Sequence, residues 1–266
     1  MNTVQESIRG KSHQQTCRAG QIWKWLLGSV FALALAPVSA NEVSHQDLDA
    51  ALRANVDDGF VTYPGLASNE AYQRYVMWLK SVDAETLTDT KDILAFWINA
   101  YNALAIKGIL DGGSPSSFFG RIGYFKNTTY DVGGRNISLY DLEHKILRPL
   151  GEPRIHFAIN CASKSCPILR SEVYTPAQLE AQLDDAARVF VNDTSRNQFD
   201  REERVARLSK IFDWFDEDFG DGEQAILNYV ANYVKDASLA AELRGGDWTI
   251  DHLDYDWSLN GQSPDS

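Results

Sequence analysis

The sequence is short of positive charge: 25 Lys and Arg residues face 37 Asp and Glu residues, which gives a formal charge of −12 over 266 residues. So acidic a chain is a poor electrostatic match for a nucleic-acid backbone, and nucleic acid is not expected as a partner. The chain also lacks a P-loop and a G-x-G-x-x-G motif, so no nucleotide cofactor is expected. Internal repeats and Pro-rich or Gly/Ser-rich linkers are missing, and residues 41–260 are predicted to form a single domain.

Apart from a run near the N-terminus, no apolar run is both long and uncharged enough to be considered as a membrane span. Residues 26–36 follow a basic leader and precede the small residues Val38-Ser39-Ala40. This is the layout of a secretory signal peptide, predicted to cover residues 1–40 and to be removed after Ala40. A run of 11 residues is too short for a membrane span, which needs roughly 20. We therefore expect an exported protein, periplasmic in the cell envelope, with no transmembrane segment in the mature chain.

Apolar periodicity and turn residues predict an α+β fold, mainly helical, built around a buried central helix with a small antiparallel sheet. The central helix is predicted over residues 93–110, and a hairpin is predicted at Gly133-Gly134. Other predicted helices begin near Ser44, after Ser68 and at Thr175-Pro176, or cover 139–147 and 225–234. Other predicted strands cover 154–160, 205–209 and 248–250, and residues 261–266 are predicted to be a flexible tail.

The predicted central helix carries two polar side chains on one face, because Asn99 and Asn102 are three residues apart. A buried amide without a partner costs about 1–3 kcal/mol. Both amides are therefore expected to meet polar groups, which belong either to a neighbouring loop or to a functional site.

Reactive side chains are concentrated in residues 156–166, where two of the three cysteines of the chain lie. This segment holds His156, Asn160, Cys161, Ser163, Lys164, Ser165 and Cys166. Since Cys17 would leave with the signal peptide, Cys161 and Cys166 are the cysteines of the mature chain. An oxidising compartment would favour a disulfide between them.

A second interpretation makes Cys161 a catalytic nucleophile, because it follows a predicted strand and begins a loop. Such a cysteine needs a base within hydrogen-bond reach and a partner that orients the base. His144 and His156 are the candidate bases, and Asn160, Asn99 and Glu143 are the candidate orienting residues. The backbone N–H groups after Cys161 could stabilise an oxyanion.

Two further interpretations remain open. Two cysteines and two histidines could bind zinc tetrahedrally, although the C-x₄-C spacing is wider than in most structural zinc sites. Thiol–disulfide exchange is the other, although oxidoreductases usually carry a tighter C-x-x-C motif at a helix N-terminus.

Acidic residues dominate 213–223 without the loop pattern of a calcium site, and a solvated helix end is expected there. The aromatic side chains nearby and near the C-terminus are expected in the core. They are Trp214, Phe215, Phe219, Tyr255 and Trp257.

Several of these stretches together resemble the domain of unknown function 547 family. The matching residues are 96–102, 139–148, 154–167, Tyr174, 190–192, 209–215, 218–220 and 255–260. The resemblance covers most of residues 90–260 and implies a fold and an exported location.

The resemblance also implies site residues. Family members occur fused to glutaredoxin-like domains, which favours thiol chemistry. The family's Glu-His and Asn-Cys pairs correspond to Glu143-His144 and Asn160-Cys161, which implies a papain-like pair of Cys161 and His144 assisted by His156 and Asn160. We therefore expect a cysteine-dependent hydrolase or an acyl or peptidyl transferase, acting on an amide or thioester of a small molecule or peptide, with no cofactor and no bound metal. The alternatives are a non-catalytic binding module with a Cys161–Cys166 disulfide, and a thiol-redox or zinc site.

Overall fold

The computed structural model describes residues 44–264, and all of these belong to one compact unit. The predicted signal peptide, residues 1–40, lies outside the described residues. The helices are α1 (Gln46–Asn55), α2 (Tyr63–Ala67), α3 (Glu70–Leu79), α4 (Thr90–Leu110), α5 (Phe118–Arg121), α6 (Leu139–Asp141), α7 (Leu179–Val191), α8 (Ile211–Trp214), α9 (Asp216–Phe219), α10 (Glu223–Val230) and α11 (Ala237–Arg244). Short 3₁₀ turns occur at Ala84–Thr86, Arg148–Leu150 and Pro153–Phe157, and π-helical turns at Ile122–Asn127 and Leu142–Leu147.

The strands are short and belong to three separate small sheets. They are β1 (Val56–Asp57), β2 (Phe60–Thr62), β3 (Thr129–Val132), β4 (Arg135–Ser138), β5 (Gln198–Asp200), β6 (Val205–Leu208), β7 (Thr249–His252) and β8 (Gly261–Gln262). The sheet orders are β1-β2-β8, β3-β4 and β5-β6-β7. The α+β prediction is confirmed, with two differences: β2 pairs with β8 in parallel, and β6 pairs with β7 in parallel. The residues Gly261 and Gln262, predicted to begin a flexible tail, form strand β8 instead.

Helix α4 is the centre of the fold, as the apolar sequence predicts. The Asp89 side chain accepts a hydrogen bond from the backbone N–H of Lys91 at 2.8 Å and caps the helix, which therefore begins three residues before the predicted start. Every residue from Leu94 to Ile106 is buried, so α4 packs on all sides along this stretch. Its mean hydropathy and length would also fit a membrane span, but 83% of its most apolar window is buried inside the fold.

The two amides of α4 bind backbone groups of the segment that follows residue 157. The Asn99 side chain donates to the Tyr174 carbonyl at 2.8 Å and accepts from the Tyr174 N–H at 2.9 Å. The Asn102 side chain donates to the Ala158 carbonyl at 3.0 Å and accepts from the Asn160 N–H at 2.8 Å. Each amide donates one hydrogen bond and accepts one, and together they fix the two ends of the cysteine-containing segment against α4.

The strand predicted over residues 154–160 is wrong: residues Pro153–Phe157 form a 3₁₀ helix. The Glu152 side chain accepts from the Arg154 N–H at 3.0 Å and caps this turn, and Pro153 fits its first position. The apolar alternation that suggested a strand has another origin. The segment passes between two hydrophobic clusters, with Ile155 in the cluster around α4 and Phe157 in the second cluster around α7 and α10.

The role of Asn99 can be tested by the substitution Asn99→Ala. This change leaves the N–H and the carbonyl of Tyr174 without a partner. Each of these two unpaired groups is expected to lower the free energy of unfolding by about 1–3 kcal/mol. Urea unfolding followed by circular dichroism measures the loss. The control is Asn228→Ala, because that exposed side chain accepts only from the neighbouring Gln224 amide. Equal stability of the two variants would contradict the role assigned to Asn99.

Candidate functional site

The candidate site is the loop from Cys161 to Cys166, whose two sulfurs are paired as a disulfide. Their Cα atoms are 6.0 Å apart. The two cysteines differ in accessibility, because Cys161 is partly exposed whereas Cys166 is only 3% exposed. Of the two cysteines, Cys161 is therefore the one that solvent reaches.

Asn160 sets the shape of this loop. Its side-chain oxygen accepts from the Ala162 N–H at 2.8 Å, and its side-chain nitrogen donates to the Pro167 carbonyl at 2.6 Å. Ala162 has φ +62°, a left-handed conformation that costs free energy for a residue with a Cβ. The two hydrogen bonds of Asn160 offset this cost by closing the loop around its own side chain.

The C-terminal segment 256–260 holds the loop from outside. The N–H of Lys164 donates to the Ser258 carbonyl at 2.9 Å, and the N–H of Asn260 donates to the Ala162 carbonyl at 3.2 Å. The Asn260 side chain also donates to the Asn160 side-chain oxygen at 3.1 Å. We call residues 256–260 the C-terminal clamp.

Hydroxyl groups, and not imidazoles, surround the accessible sulfur. The Cys161 Sγ lies 3.1 Å from the Ser163 Oγ and 3.2 Å from the Tyr255 hydroxyl oxygen. Ser163 donates its proton to the Tyr255 oxygen at 3.2 Å, which leaves the Tyr255 O–H free to donate to the sulfur. Burial raises the pKa of Tyr255 above its usual value of 10, so the phenol keeps its proton at neutral pH.

His156 is buried in a cluster of charged side chains. Its Nε2 donates to the Asp218 Oδ2 at 2.6 Å, and its Nδ1 lies 3.7 Å from the Glu143 Oε1. Its ring stacks on Phe215 with centroids 4.1 Å apart. Burial lowers the pKa of His156, although the hydrogen bond to Asp218 opposes the shift.

Arg148 completes this buried charge cluster, which consists of Glu143, Arg148, His156 and Asp218. The guanidinium Nε and Nη2 donate to the two oxygens of Asp218 at 2.6 and 2.9 Å. Burial alone would raise the pKa of Asp218, but its bonds to His156 and Arg148 hold that pKa well below the usual range. A cleft of about 210 Å³ adjoins the ion pair.

His144 lies beside the buried charge cluster, with its ring centroid 6.0 Å from that of Phe215. Its Nδ1 is 3.1 Å from the Tyr140 carbonyl oxygen, and its ring stacks on the Tyr140 ring with centroids 3.9 Å apart. Burial lowers the pKa of His144, and the nearby Arg148 adds to the shift. The ring is partly exposed.

The structure therefore brings together some of the sequence-predicted site residues and separates others. Asn160 lies against Cys161, and Glu143 lies against His156, but within residues 44–264 no histidine forms a hydrogen bond to a cysteine sulfur. Asn99 contacts the backbone of Tyr174 and not a base. The Ala162 N–H, predicted as an oxyanion donor, is bound to Asn160. The catalytic roles assigned to these residues stay predictions.

Sequence reasoning missed Tyr255 and Asp218 as parts of these clusters. Tyr255 had been assigned to the core, and Asp218 was one acid of the stretch 213–223. Both residues lie outside the range 85–191 that matches a family model, and the only sequence signal for them is that they stand in stretches on which the predicted resemblance rests. Among the residues that the structure describes, no group of three or more His, Cys, Asp or Glu side chains is arranged to hold a metal ion.

The aromatic side chains expected in the core divide into two groups. Phe219 is buried, which confirms the prediction for this residue. The prediction is wrong for Trp214, which is 43% exposed. Phe215, Tyr255 and Trp257 lie between these extremes and are partly exposed. Tyr255 connects these rings to the site, because its hydroxyl contacts the Cys161 sulfur and its ring contacts Trp214 and Trp257.

Comparison with known proteins gives a family and no closer relative. Residues 85–191 match the family described as Protein of unknown function, DUF547, which confirms the family prediction. The matched range contains α4, the charged residues Glu143, Arg148 and His156, and the whole cysteine loop. No curated protein and no solved structure matches the chain.

The buried charge cluster predicts a pH dependence of stability that Glu143→Gln should remove. Burial raises the pKa of Glu143 from 4.5 to about 8, against the attraction of Arg148. Between these two values the folded protein binds a proton that the unfolded chain has released, so the free energy of unfolding falls as pH rises. Between pH 7 and 8 the free energy of unfolding of the native chain should fall by about 1 kcal/mol more than that of the Gln variant. Urea unfolding at the two pH values measures this difference.

The matched control for this prediction is Glu217→Gln, since Glu217 also lies near Arg148 but is exposed to solvent. This control should follow the native chain across the same pH interval. If Glu143→Gln shows the same pH dependence as the native chain, the buried carboxyl is ionised in the folded protein and the assignment fails.

Proposed function

We propose that this protein, whose residues 85–191 match the DUF547 family, carries out thiol–disulfide exchange at its Cys161–Cys166 pair. The observation that supports the proposal is the asymmetry of the pair. The residue Cys161 is partly exposed and its sulfur is hydrogen-bonded to a phenol, whereas Cys166 is buried. Exchange rates depend on which sulfur is attacked and on its accessibility, so this asymmetry favours attack at Cys161.

The reaction uses two thiols of a substrate. The first substrate thiolate attacks the Cys161 Sγ, the bond between the two cysteine sulfurs breaks, and its electron pair leaves on the Cys166 Sγ. The second thiolate then attacks the substrate sulfur of the mixed disulfide and releases Cys161 as a thiolate. The substrate is oxidised to a disulfide, and the two protein thiolates are the reduced product, which take protons from water.

Both leaving sulfurs have a hydrogen-bond donor in place. The backbone N–H of Cys161 donates to the Cys166 Sγ at 2.8 Å, so this sulfur leaves as a stabilised thiolate. The Tyr255 O–H donates a hydrogen bond to the Cys161 Sγ and would stabilise the Cys161 thiolate in the same way. Lower thiol pKa values make both sulfurs better leaving groups.

One observation favours a different role, that of a non-catalytic module stapled by a structural disulfide. The loop is held from both sides, because Arg196 donates to the Cys166 carbonyl at 2.9 Å and to the Lys164 carbonyl at 2.8 Å, opposite the C-terminal clamp. A loop held this tightly is consistent with a purely structural disulfide as well as with a preorganised exchange site. The reduction potential distinguishes the two, since structural disulfides of exported proteins lie below about −300 mV.

The first test is a redox titration of the chain carrying Cys17→Ser, in which Cys161 and Cys166 are the only cysteines that can be oxidised or alkylated. We expect a midpoint potential above about −300 mV in dithiothreitol buffers, read by alkylation and mass spectrometry. With Cys166→Ser added, Cys161 should form a mixed disulfide with a small disulfide reagent. The matched variant Cys161→Ser should react far more slowly, because Cys166 is buried. A midpoint below that value, or equal reactivity of both variants, would leave only the structural staple.

The second test is Tyr255→Phe, which keeps the ring and removes the hydroxyl donor. In the reduced protein the pKa of the Cys161 thiol should rise by roughly 1–2 units, because a hydrogen bond to a charged group is worth about 1.5–3 kcal/mol. The pH dependence of iodoacetamide alkylation measures this pKa. Tyr233→Phe, which removes a phenol far from both cysteines in sequence and near Tyr229, is the control and should leave it unchanged. An unchanged pKa in Tyr255→Phe would show that the phenol does not stabilise the thiolate.

A further inference from the structure

Aromatic rings continue from the Cys161 sulfur out to the surface. The Tyr255 ring, whose hydroxyl contacts the sulfur, lies 4.8 Å from the Trp214 ring and 4.5 Å from the Trp257 ring. The two indoles stack on each other with an interplanar angle of 24°. We call Trp214, Tyr255 and Trp257 the aromatic surface.

Helix α5 reaches this aromatic surface through a cation and also carries two exposed apolar rings. The Arg121 guanidinium lies 4.6 Å from the centre of the Trp257 ring and belongs to the same short helix α5 as Phe118 and Phe119. These two phenylalanines are 63% and 82% exposed. Large exposed apolar groups clustered on one surface typically mark an interaction site.

Exposed acidic residues are sequence neighbours of the aromatic surface. Asp213 and Asp216 flank Trp214 at the end of α8, and Asp254 and Asp256 flank Tyr255, and all four are exposed. Only Asp213 of these forms an ion pair, with Lys210 at 3.2 Å, within the described part of the chain. The four carboxylates outnumber the one guanidinium of Arg121 on this surface, so a ligand that carries positive charge beside an apolar group complements it better than an anion does.

We propose that the aromatic surface binds the substrate of the exchange reaction, and that this substrate is a polypeptide with two cysteines and with an aromatic residue and basic residues near the cysteine that attacks first. The inference rests on the proposed function of the Cys161–Cys166 pair. Tyr255 connects the two sites, because its hydroxyl reaches the sulfur while its ring contacts both indoles. A chain lying on the indoles thus brings a neighbouring cysteine to the attackable sulfur.

A polypeptide fits these features better than a small thiol does. A small thiol would gain nothing from rings that extend away from the sulfur over several residues. A polypeptide uses them, since aromatic side chains bury large areas and stack on other rings with a gain of about 0.5–1.5 kcal/mol per pair. The exposed acidic residues then select among polypeptides by charge.

The test compares thiol substrates in the oxidised chain carrying Cys17→Ser. The probes are dithiothreitol and three short peptides that differ beside their cysteine: one with Trp and Lys, one with Ala and Lys, and one with Trp and Glu. Stopped-flow or quenched alkylation gives the second-order rate constant for loss of the protein disulfide. We expect the peptide with Trp and Lys to react about tenfold faster than either of the others.

A variant pair links this preference to the aromatic surface. Trp214→Ala should reduce the ratio of the rate constants for the peptide with Trp and Lys and for dithiothreitol by about tenfold. Trp214 is exposed, so the fold should survive the change. Met77→Ala removes another exposed apolar side chain, 70% exposed on α3, and should leave the ratio unchanged.

The outcomes separate this inference from the proposed function. Equal rate constants for the three peptides, or an unchanged ratio in Trp214→Ala, would overturn the assignment of the aromatic surface while the exchange with dithiothreitol still supports the proposed function. Equal rates for the Lys and Glu peptides would overturn the preference for basic substrates. An absence of exchange with every probe would overturn the proposed function itself.

Discussion

The structure depends on the hydrogen bonds that two amides of the central helix make with a distant part of the backbone. Asn99 and Asn102 lie in the most apolar stretch of the chain, where an unpaired polar group would be costly. Their partners are the backbone groups of Ala158, Asn160 and Tyr174. The segment with both cysteines thus begins and ends at fixed points on α4.

This arrangement explains which features the sequence could predict. Helix α4 and the hairpin at Gly133-Gly134 follow from local patterns, because the helix is apolar along its length and both glycines adopt positive φ in the turn. The expectation that Asn99 and Asn102 meet polar groups also follows from burial alone. The identity of those partners could not be predicted from the sequence, because they lie 56 to 75 residues away along the chain.

The errors have equally specific causes. Residues 154–160 alternate like a strand because they lie between two hydrophobic clusters, and a capped 3₁₀ turn satisfies that pattern as well as a strand does. Trp214 is hydrophobic by type, and only the three-dimensional arrangement places it on the surface beside Tyr255. For the site, proximity in sequence identified Asn160 as a neighbour of Cys161, but it could not show that His156 would be held by Asp218, 62 residues further on.

The C-terminal clamp has a consequence for biosynthesis. Ser165 and the clamp residue Asp256, whose N–H donates to the Ser165 hydroxyl, are 91 residues apart. A chain made from its N-terminus onward therefore presents both cysteines well before the segment that holds their loop has been synthesised. The sulfurs can meet an oxidant while the loop is still open on that side, and the final geometry around Tyr255 forms only after residues 255–260 have been synthesised. Oxidation of the pair can thus precede the closure of its own surroundings.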